Sequence, residues 1–403
     1  MINIAILGFG TVGGGVAEVI EAGYNLICKE VHEEIYIKYI LDMRDFPDSP
    51  YADRVVHDFS VILNDPEVKI VVEAMGGLSV PFEYTMASLQ AGKHVVTSNK
   101  AVVAAYGKLL IDVARSHNVR YLYEASVAGG IPVIRTIATS LCANEILEIN
   151  GILNGTTNFI LTNMKKNGMS FEDALSMAQK LGYAERDPRA DVEGEDACRK
   201  ICILAALSFG VLIPTHMVNC EGISKVTAND IDLATKANCT IKLIANTARH
   251  RDGKIEIWVA PCFVSEDNSL ANVNGVFNAV RIDSQCLGVT TYYGAGAGRQ
   301  PTASAVVSDI VDIAKHLSSK QPNQDAWEIA GDFIVCDSYD ISADYFLCLD
   351  KTFASLVDKF DNASVVFEES DKIGLVCKNI TKYSLDAIIR KNGAKAISVF
   401  RVV

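Results

Sequence analysis

The stretch that most restricts this chain lies at its start. A near-continuous apolar run, Ile2 to Leu7, ends in Gly8-Phe9-Gly10-Thr11-Val12-Gly13 and passes into a helical pattern through Ala17, Val19 and Ile20. A short strand without polar alternation is one covered on both faces, as in a parallel sheet. The three glycines then have distinct jobs. Gly8 allows a tight turn, Gly10 lets backbone approach a pyrophosphate, and Gly13 lets helix and strand pack closely. The following helix N-terminus offers its free N–H groups to phosphate oxygens. The loop from Gly8 to Gly13, with Phe9, Thr11 and Val12 included, is therefore a candidate dinucleotide cradle. The expected fold class is α/β, beginning with a Rossmann-type doubly wound parallel sheet.

The next segments extend that sheet. Ile35 to Leu41 reads as a second strand with Asp42 and Arg44 at its end, where such folds read the ribose. An acidic residue there favours NAD and an arginine favours the 2′-phosphate of NADP; both are present, with a lean to NADP. Val68 to Met75 and His94 to Thr97 are further strands, followed by Gly76-Gly77 and Ser98-Asn99-Lys100. Ligands of open α/β sheets sit beyond such carboxyl ends. A lysine at a helix start opposes the helix dipole, so Lys100, before Ala101 to His117, is a candidate functional residue. After the strand Val119 to Glu124 comes a small-residue turn, Ala125 to Pro132. Its carbonyls and the Glu124 carboxylate are hard oxygen ligands suited to a cation, but on chemistry alone a simple interdomain hinge is the favoured reading.

Composition narrows the function. The chain has 403 residues, 49% apolar and 21% charged, enough for two or three domains with real cores. A net charge of −12 without a basic block argues against nucleic acid as the main partner. The N-terminus enters a strand with no signal peptide, and no apolar run is long enough for a membrane span. Eleven cysteines without a spaced framework fit a reducing cytoplasm. Seven dispersed histidines give no zinc pattern.

The middle of the chain carries the chemistry. Glu145 to Leu153 is strand-like, and Asn154-Gly155-Thr156-Thr157-Asn158 leads to a helix expected from Phe159. Ser170 with Asp173 caps a helix running to Leu181. Leu181 to Lys200 then crowds Glu185, Asp187, Arg189, Asp191, Glu193, Glu195, Asp196 and Lys200 among apolar segments. Tyr183 to Gly194 reads as a loop, and from Glu195 to Phe209 the pattern is helical and mostly apolar. Asp196 and Lys200 share one face of that helix. An isolated pair at this spacing is usually a weak surface ion pair. Here the apolar neighbours Ala197, Ile201 and Leu204 predict burial. Thr240 to His250 and Lys254 to Val264 form a hairpin around Asp252-Gly253, extended by Val276 to Ile282 and Val289 to Tyr293. A glycine run through Gly298 precedes a helix reaching Leu317.

The motifs GFGTVGGGV, SNKA, EASVAGGIP, NGILNGTTNFIL, LGYAERDPRADVEGEDACRK and GAGAGRQPTASAVVSD, in this order, resemble the homoserine dehydrogenase family over roughly residues 1 to 320. The resemblance implies reversible reduction of L-aspartate 4-semialdehyde to L-homoserine with NADPH or NADH. It implies that Lys200 is the catalytic lysine, that Asp196 positions substrate and lysine, and that Lys100 lies near the nicotinamide. Glu185 would contact the substrate amino group, with Tyr183, Gly155, Thr156 and Asp191 lining the pocket. Arg44, Ser98 and Gly298 would touch the cofactor. Glu124, Val127, Gly129 and Ile131 would hold a monovalent cation such as Na+. A homodimer or homotetramer is expected.

The implied organisation is a dinucleotide domain over 1–130 completed by 298–318, a substrate and dimerisation domain over 131–297, and a linker over 319–343. A βαββαβ module then spans 344–403, ferredoxin-like and similar to amino-acid-sensing ACT domains. In that module Asp350-Lys351-Thr352-Phe353 replaces the usual Asp-x-Pro-Gly, which weakens the expectation of threonine sensing. Two other readings stay open at this stage: another Rossmann oxidoreductase of an amino-acid aldehyde, and a non-catalytic dinucleotide sensor. The second has no use for Glu185, Asp196 and Lys200 together.

Overall fold

A computed structural model describes residues 1–319 and 333–403. Most of the expected 319–343 linker lies outside the described residues. The chain divides into two compact units. The first comprises Met1–Ala143, Cys202–Leu212 and the segment from Gly294; the second comprises Asn144–Ile201, Ile213–Tyr293 and the C-terminal segment.

The first unit holds a six-stranded parallel sheet of β1 (Ile2–Leu7), β2 (Ile35–Leu41), β3 (Val55–Val56), β4 (Val68–Glu73), β5 (His94–Thr97) and β6 (Tyr121–Leu122). The order β3-β2-β1-β4-β5-β6 reverses direction beside β1, the switch point at which a doubly wound sheet opens a crevice for ligand. Ile4, Ile6, Ile70, Val72 and Val96 fill its core against Val16 and Ile20 of the Thr11–Ala22 helix. Val306, Ile310 and Ile313 of the Arg299–Ser319 helix complete it, presenting the three-to-four-residue spacing of one helix face. Small residues set how near these two helices come: a Cβ on Gly15 would lie 2.9 Å from the Arg299 carbonyl oxygen.

The second unit is organised on a ten-stranded mixed sheet. Its strands are β7 (Ile146–Ile152), β8 (Asn219–Cys220), β9 (Cys239–Arg249), β10 (Ile255–Ser265), β11 (Phe277–Ser284), β12 (Gly288–Ala295), β13 (Ala343–Asp350), β14 (Ala363–Glu368), β15 (Lys372–Ile380) and β16 (Ala396–Val402). The order is β12-β11-β7-β9-β10-β16-β13-β15-β14, with β8 also on β10. β9 and β10 form the expected antiparallel hairpin.

The last four strands alternate with the short helical stretch Lys351–Lys359 and the helix Lys382–Lys391, and their order is that of a ferredoxin-like module. This segment does not stand apart in the sheet. β16 pairs in parallel with β10, and Phe263 of β10 stacks on Phe346 and Phe400 at 4.5 and 4.8 Å.

Candidate active site

The fingerprint loop has the geometry its glycines demand. Gly8 has φ +90°, a conformation few other residues tolerate. A Cβ on Gly13 would stand 1.9 Å from the Gly8 carbonyl oxygen, so helix and strand could not close. A Cβ on Gly10 would meet nothing within 4 Å, which leaves the backbone open to an incoming phosphate. The residues present thus fit a dinucleotide.

Asp42 braces this loop. Its Oδ2 accepts the Phe9 N–H at 2.8 Å, while Arg44 donates through Nε to Oδ1 and through Nη2 to Oδ2, both at 3.0 Å. The Arg44 guanidinium, followed by the Phe9 and Arg44 amides, holds the Asp42 carboxyl down at about 2. Arg44 also lies 5.1 Å over the Phe46 ring. The two residues with opposite cofactor preferences are thus engaged with each other.

At the far end of β5, Asn99 caps the helix that follows, its Oδ1 accepting from Ala101 and Val102 N–H at 3.2 Å. The helix begins at Lys100, one residue earlier than expected, and puts that half-buried lysine in its first turn beside Ser98. Gly298, at φ +120°, immediately precedes the Arg299–Ser319 helix.

Glu124 is buried, and burial pushes its carboxyl up. Its two oxygens accept the Ile134 and Arg135 N–H groups at 2.9 and 2.7 Å. Between them the chain reverses through Ala128 and Gly129, both at φ +56°. Val127 and Ile131 are buried on either side of the reversal. The donor set consists of oxygens alone, as a hard monovalent cation requires, but the Glu124 carboxylate already has two backbone partners.

The acidic stretch builds the most unusual feature. The helix Glu195–Phe209 turns Asp196 and Lys200 inward, where they are 3% and 7% exposed. Lys200 Nζ donates to Asp196 Oδ2 and to the Leu153 carbonyl oxygen, each at 2.7 Å. The bland reading of this pair as a solvated surface bridge is excluded. Asp196 Oδ2 also accepts Asn154 Nδ2 at 2.9 Å, and the same amide donates to Asp191 Oδ1 at 2.8 Å.

Asn154 is the residue that sequence reasoning undervalued. It had the look of a plain cap, and it is one: its Oδ1 accepts the Thr157 N–H at 2.9 Å. The helix therefore starts at Gly155, four residues before the expected Phe159. One amide side chain caps this helix and bridges the two carboxylates of the neighbouring loop. The Asn-Gly-Thr-Thr sequence after a strand carried only the capping signal.

Of the remaining expected residues, Asp191 is bonded to this group through Asn154, Gly155 and Thr156 follow Asn154 in its helix, and among the described residues Glu185 is not bonded to it. A Cβ on Gly155 would be 2.6 Å from the Val276 carbonyl oxygen, so only glycine fits. Thr156 Oγ1 donates to the Tyr183 carbonyl oxygen at 2.6 Å, and the Tyr183 ring packs on Phe159 at 5.0 Å. Asp191 lies in a short helical turn, Arg189–Val192, inside the expected loop. Glu185 is exposed; its carbonyl oxygen accepts Gln179 Nε2 at 3.1 Å, and among the described residues no bond of its side chain ties it to the buried set.

The first unit has the parallel sheet and glycine loop of a dinucleotide-dependent oxidoreductase. Residues 8–124 match the family described as homoserine dehydrogenase, NAD binding domain, and residues 132–311 match that described as homoserine dehydrogenase. A homoserine dehydrogenase of Neisseria gonorrhoeae is 44% identical over 317 residues, 78% of this chain and 72% of that one. The crystal structure of a homoserine dehydrogenase from Thiobacillus denitrificans superposes with a TM-score of 0.91 at 33% identity, covering 100% of this chain and 98% of that one. A hyperthermophilic archaeal homoserine dehydrogenase in complex with NADPH matches with a TM-score of 0.66 at 30% identity, over 80% and 99% of the two chains. The chain belongs to the homoserine dehydrogenase family, whose reaction is the reversible reduction of L-aspartate 4-semialdehyde to L-homoserine.

Proposed function

We propose that Lys200 is the proton donor and acceptor of this reaction. The observation that carries the reading is the buried ammonium, fixed by Asp196 and the Leu153 carbonyl. When bound, the nicotinamide supplies a hydride to the aldehyde carbon or takes one back from the alcohol. In the reducing direction the aldehyde oxygen gains charge, and Lys200 stabilises that charge and then gives up a proton to it. In the reverse direction Lys200 takes the hydroxyl proton. Asp196, held by Asn154, orients the ammonium, and a group already in place pays no reorganisation cost as charge develops. Glu185 is assigned to the substrate ammonium, with Tyr183, Gly155, Thr156 and Asp191 around it.

The Gly8–Gly13 loop, Arg44, Ser98, Lys100 and Gly298 are assigned to the dinucleotide. NADPH is the favoured partner, supported by Arg44 and by the NADPH complex of the archaeal relative. Glu124, Val127, Gly129 and Ile131 are assigned to a monovalent cation such as Na+. The segment 344–403 is assigned as an ACT-like module, a dimerisation or purely structural element in preference to a threonine sensor, in a homodimer or homotetramer working in the cytoplasm. No described helix is long and apolar enough to cross a membrane.

The test mixes the purified chain with L-homoserine and either NADP or NAD at alkaline pH and follows the absorbance of reduced nicotinamide. A rise with NADP exceeding that with NAD is expected. No rise with either ends the assignment. Repeating the assay with and without threonine and with Na+ removed tests the module and the cation.

A further inference from the structure

The mechanism leaves the buried carboxyl of Glu73 unused. Glu73 ends β4, is 0% exposed, and is pushed up to about 7 by burial. A buried carboxyl is costly unless its oxygens find donors. Here Oε1 accepts the Met75 N–H at 2.8 Å, and Oε2 accepts the Thr97 hydroxyl at 2.5 Å. Thr97 ends β5 and pairs with Glu73 in the parallel register. Thr97 Oγ1 in turn accepts the Asn99 N–H at 2.9 Å, and Asn99 Nδ2 returns to the Gly77 carbonyl oxygen at 2.9 Å. The bonds close a circuit: Glu73, Thr97, Asn99, Gly77 and back along the chain.

That circuit joins two loops at the carboxyl ends of neighbouring strands. One loop is Met75–Gly77, where a Cβ on Gly76 or on Gly77 would meet nothing within 4 Å. The other is Ser98–Lys100, whose Asn99 also caps the helix beginning at Lys100. Such carboxyl-end loops receive the ligand in open α/β sheets. We propose that Glu73 is a positioning residue for the nicotinamide dinucleotide, acting through Thr97 and Asn99 to fix these two loops against each other. The inference rests on the reading that a dinucleotide binds beyond these strand ends. Two donors converge on Glu73; an amide in its place keeps an oxygen for the Met75 N–H but turns an NH2 donor toward Thr97 Oγ1, so the Thr97 hydroxyl can no longer donate there.

The test measures NADPH dissociation constants by fluorescence on full-length Glu73→Gln, Thr97→Val, Thr97→Ser and the double variant Glu73→Gln/Thr97→Val, with melting temperatures alongside. Glu73→Gln and Thr97→Val each raise the NADPH Kd roughly tenfold, the equivalent of about 1.4 kcal/mol for one lost hydrogen bond. Thr97→Ser keeps the hydroxyl and is expected to hold the affinity within about twofold, and the double variant is no weaker than either single one, because both act on one circuit. In homoserine oxidation, KM for L-homoserine moves far less than KM for NADP+. Folded Glu73→Gln and Thr97→Val proteins with unaltered NADPH affinity overturn the inference, as do losses that simply add in the double variant. Glu73→Gln lowering the melting temperature while leaving NADPH affinity intact also overturns it, since that marks a purely structural role. Failure of the unaltered protein to bind either NADPH or NADH overturns the underlying cofactor reading instead.

Discussion

Lys200 Nζ sits 2.7 Å from Asp196 Oδ2, one turn away on the same buried helix, and an equal 2.7 Å from the Leu153 carbonyl at the end of β7. The lysine is therefore fixed from two elements that are distant in sequence. If its ammonium handles the substrate proton, Lys200→Ala lowers kcat by at least roughly a hundredfold, the scale of a lost general acid. NADPH affinity, measured by direct titration, stays within about twofold. Turnover near that of the unaltered protein removes Lys200 from the chemistry.

Asn154 offers a sharper test, because it does two separable things. Asn154→Asp keeps the oxygen that caps the Thr157 N–H but replaces the amide donor to Asp191 and Asp196 with a third carboxylate. The cap alone is worth about 1 kcal/mol. Steady-state kinetics and thermal melts are expected to diverge: kcat falls at least about tenfold in Asn154→Asp while helix capping is kept. Asn154→Ala loses both. Equal kcat in Asn154→Asp and the unaltered protein shows that the bridge is idle.

Arg44, paired with Asp42, is the residue proposed to read the cofactor's ribose end. Arg44→Ala removes the only one of the two that favours a 2′-phosphate. The ratio of kcat/KM for NADPH over NADH is expected to fall about tenfold or more, on the scale of a charge-assisted bond to phosphate. An unchanged ratio places the discrimination elsewhere.

Gly13→Ala checks the fingerprint sterically. The added methyl would be 1.9 Å from the Gly8 carbonyl oxygen, a backbone atom that cannot swing aside. A loss of several kcal/mol, at least about 3 by the measure of severe overpacking, is expected in chemical denaturation. A stable Gly13→Ala protein that still binds NADPH contradicts the loop geometry.

Stability at alkaline pH carries a signature of Lys242. This lysine is 1% exposed in β9, donates to Asn158 Oδ1 at 3.0 Å and to the Val273 carbonyl, and burial lowers it to about 7 from 10.5. Between those values the unfolded chain binds the proton more tightly than the folded one, so this group makes stability rise with pH across the window. Lys242→Met is expected to remove that rise, read as the difference between the two proteins' denaturation midpoints from pH 7 to 10. Parallel profiles across the window refute it.

Much of this protein can be read from local pattern. The apolar run before Gly8, the hairpin at Asp252-Gly253 and the burial of the Asp196–Lys200 helix each follow from residues close in sequence. Periodicity and turn chemistry act at that range. The helix starting at Gly155 was harder to place, because an Asn-Gly pair after a strand is compatible with a loop until its cap is seen. Only the tertiary structure joins Asn154 to Asp191 and Asp196, Lys200 to Leu153, and Glu73 to Thr97 and Asn99. Those bonds connect residues up to 47 positions apart, and no local signal encodes which carbonyl or carboxylate a buried donor will meet. Sequence alone marked the candidate residues, since charge and glycine in an apolar setting are costly and conspicuous. Packing decided their partners, because a buried polar group must be satisfied by whatever the folded chain brings within about 3 Å of it.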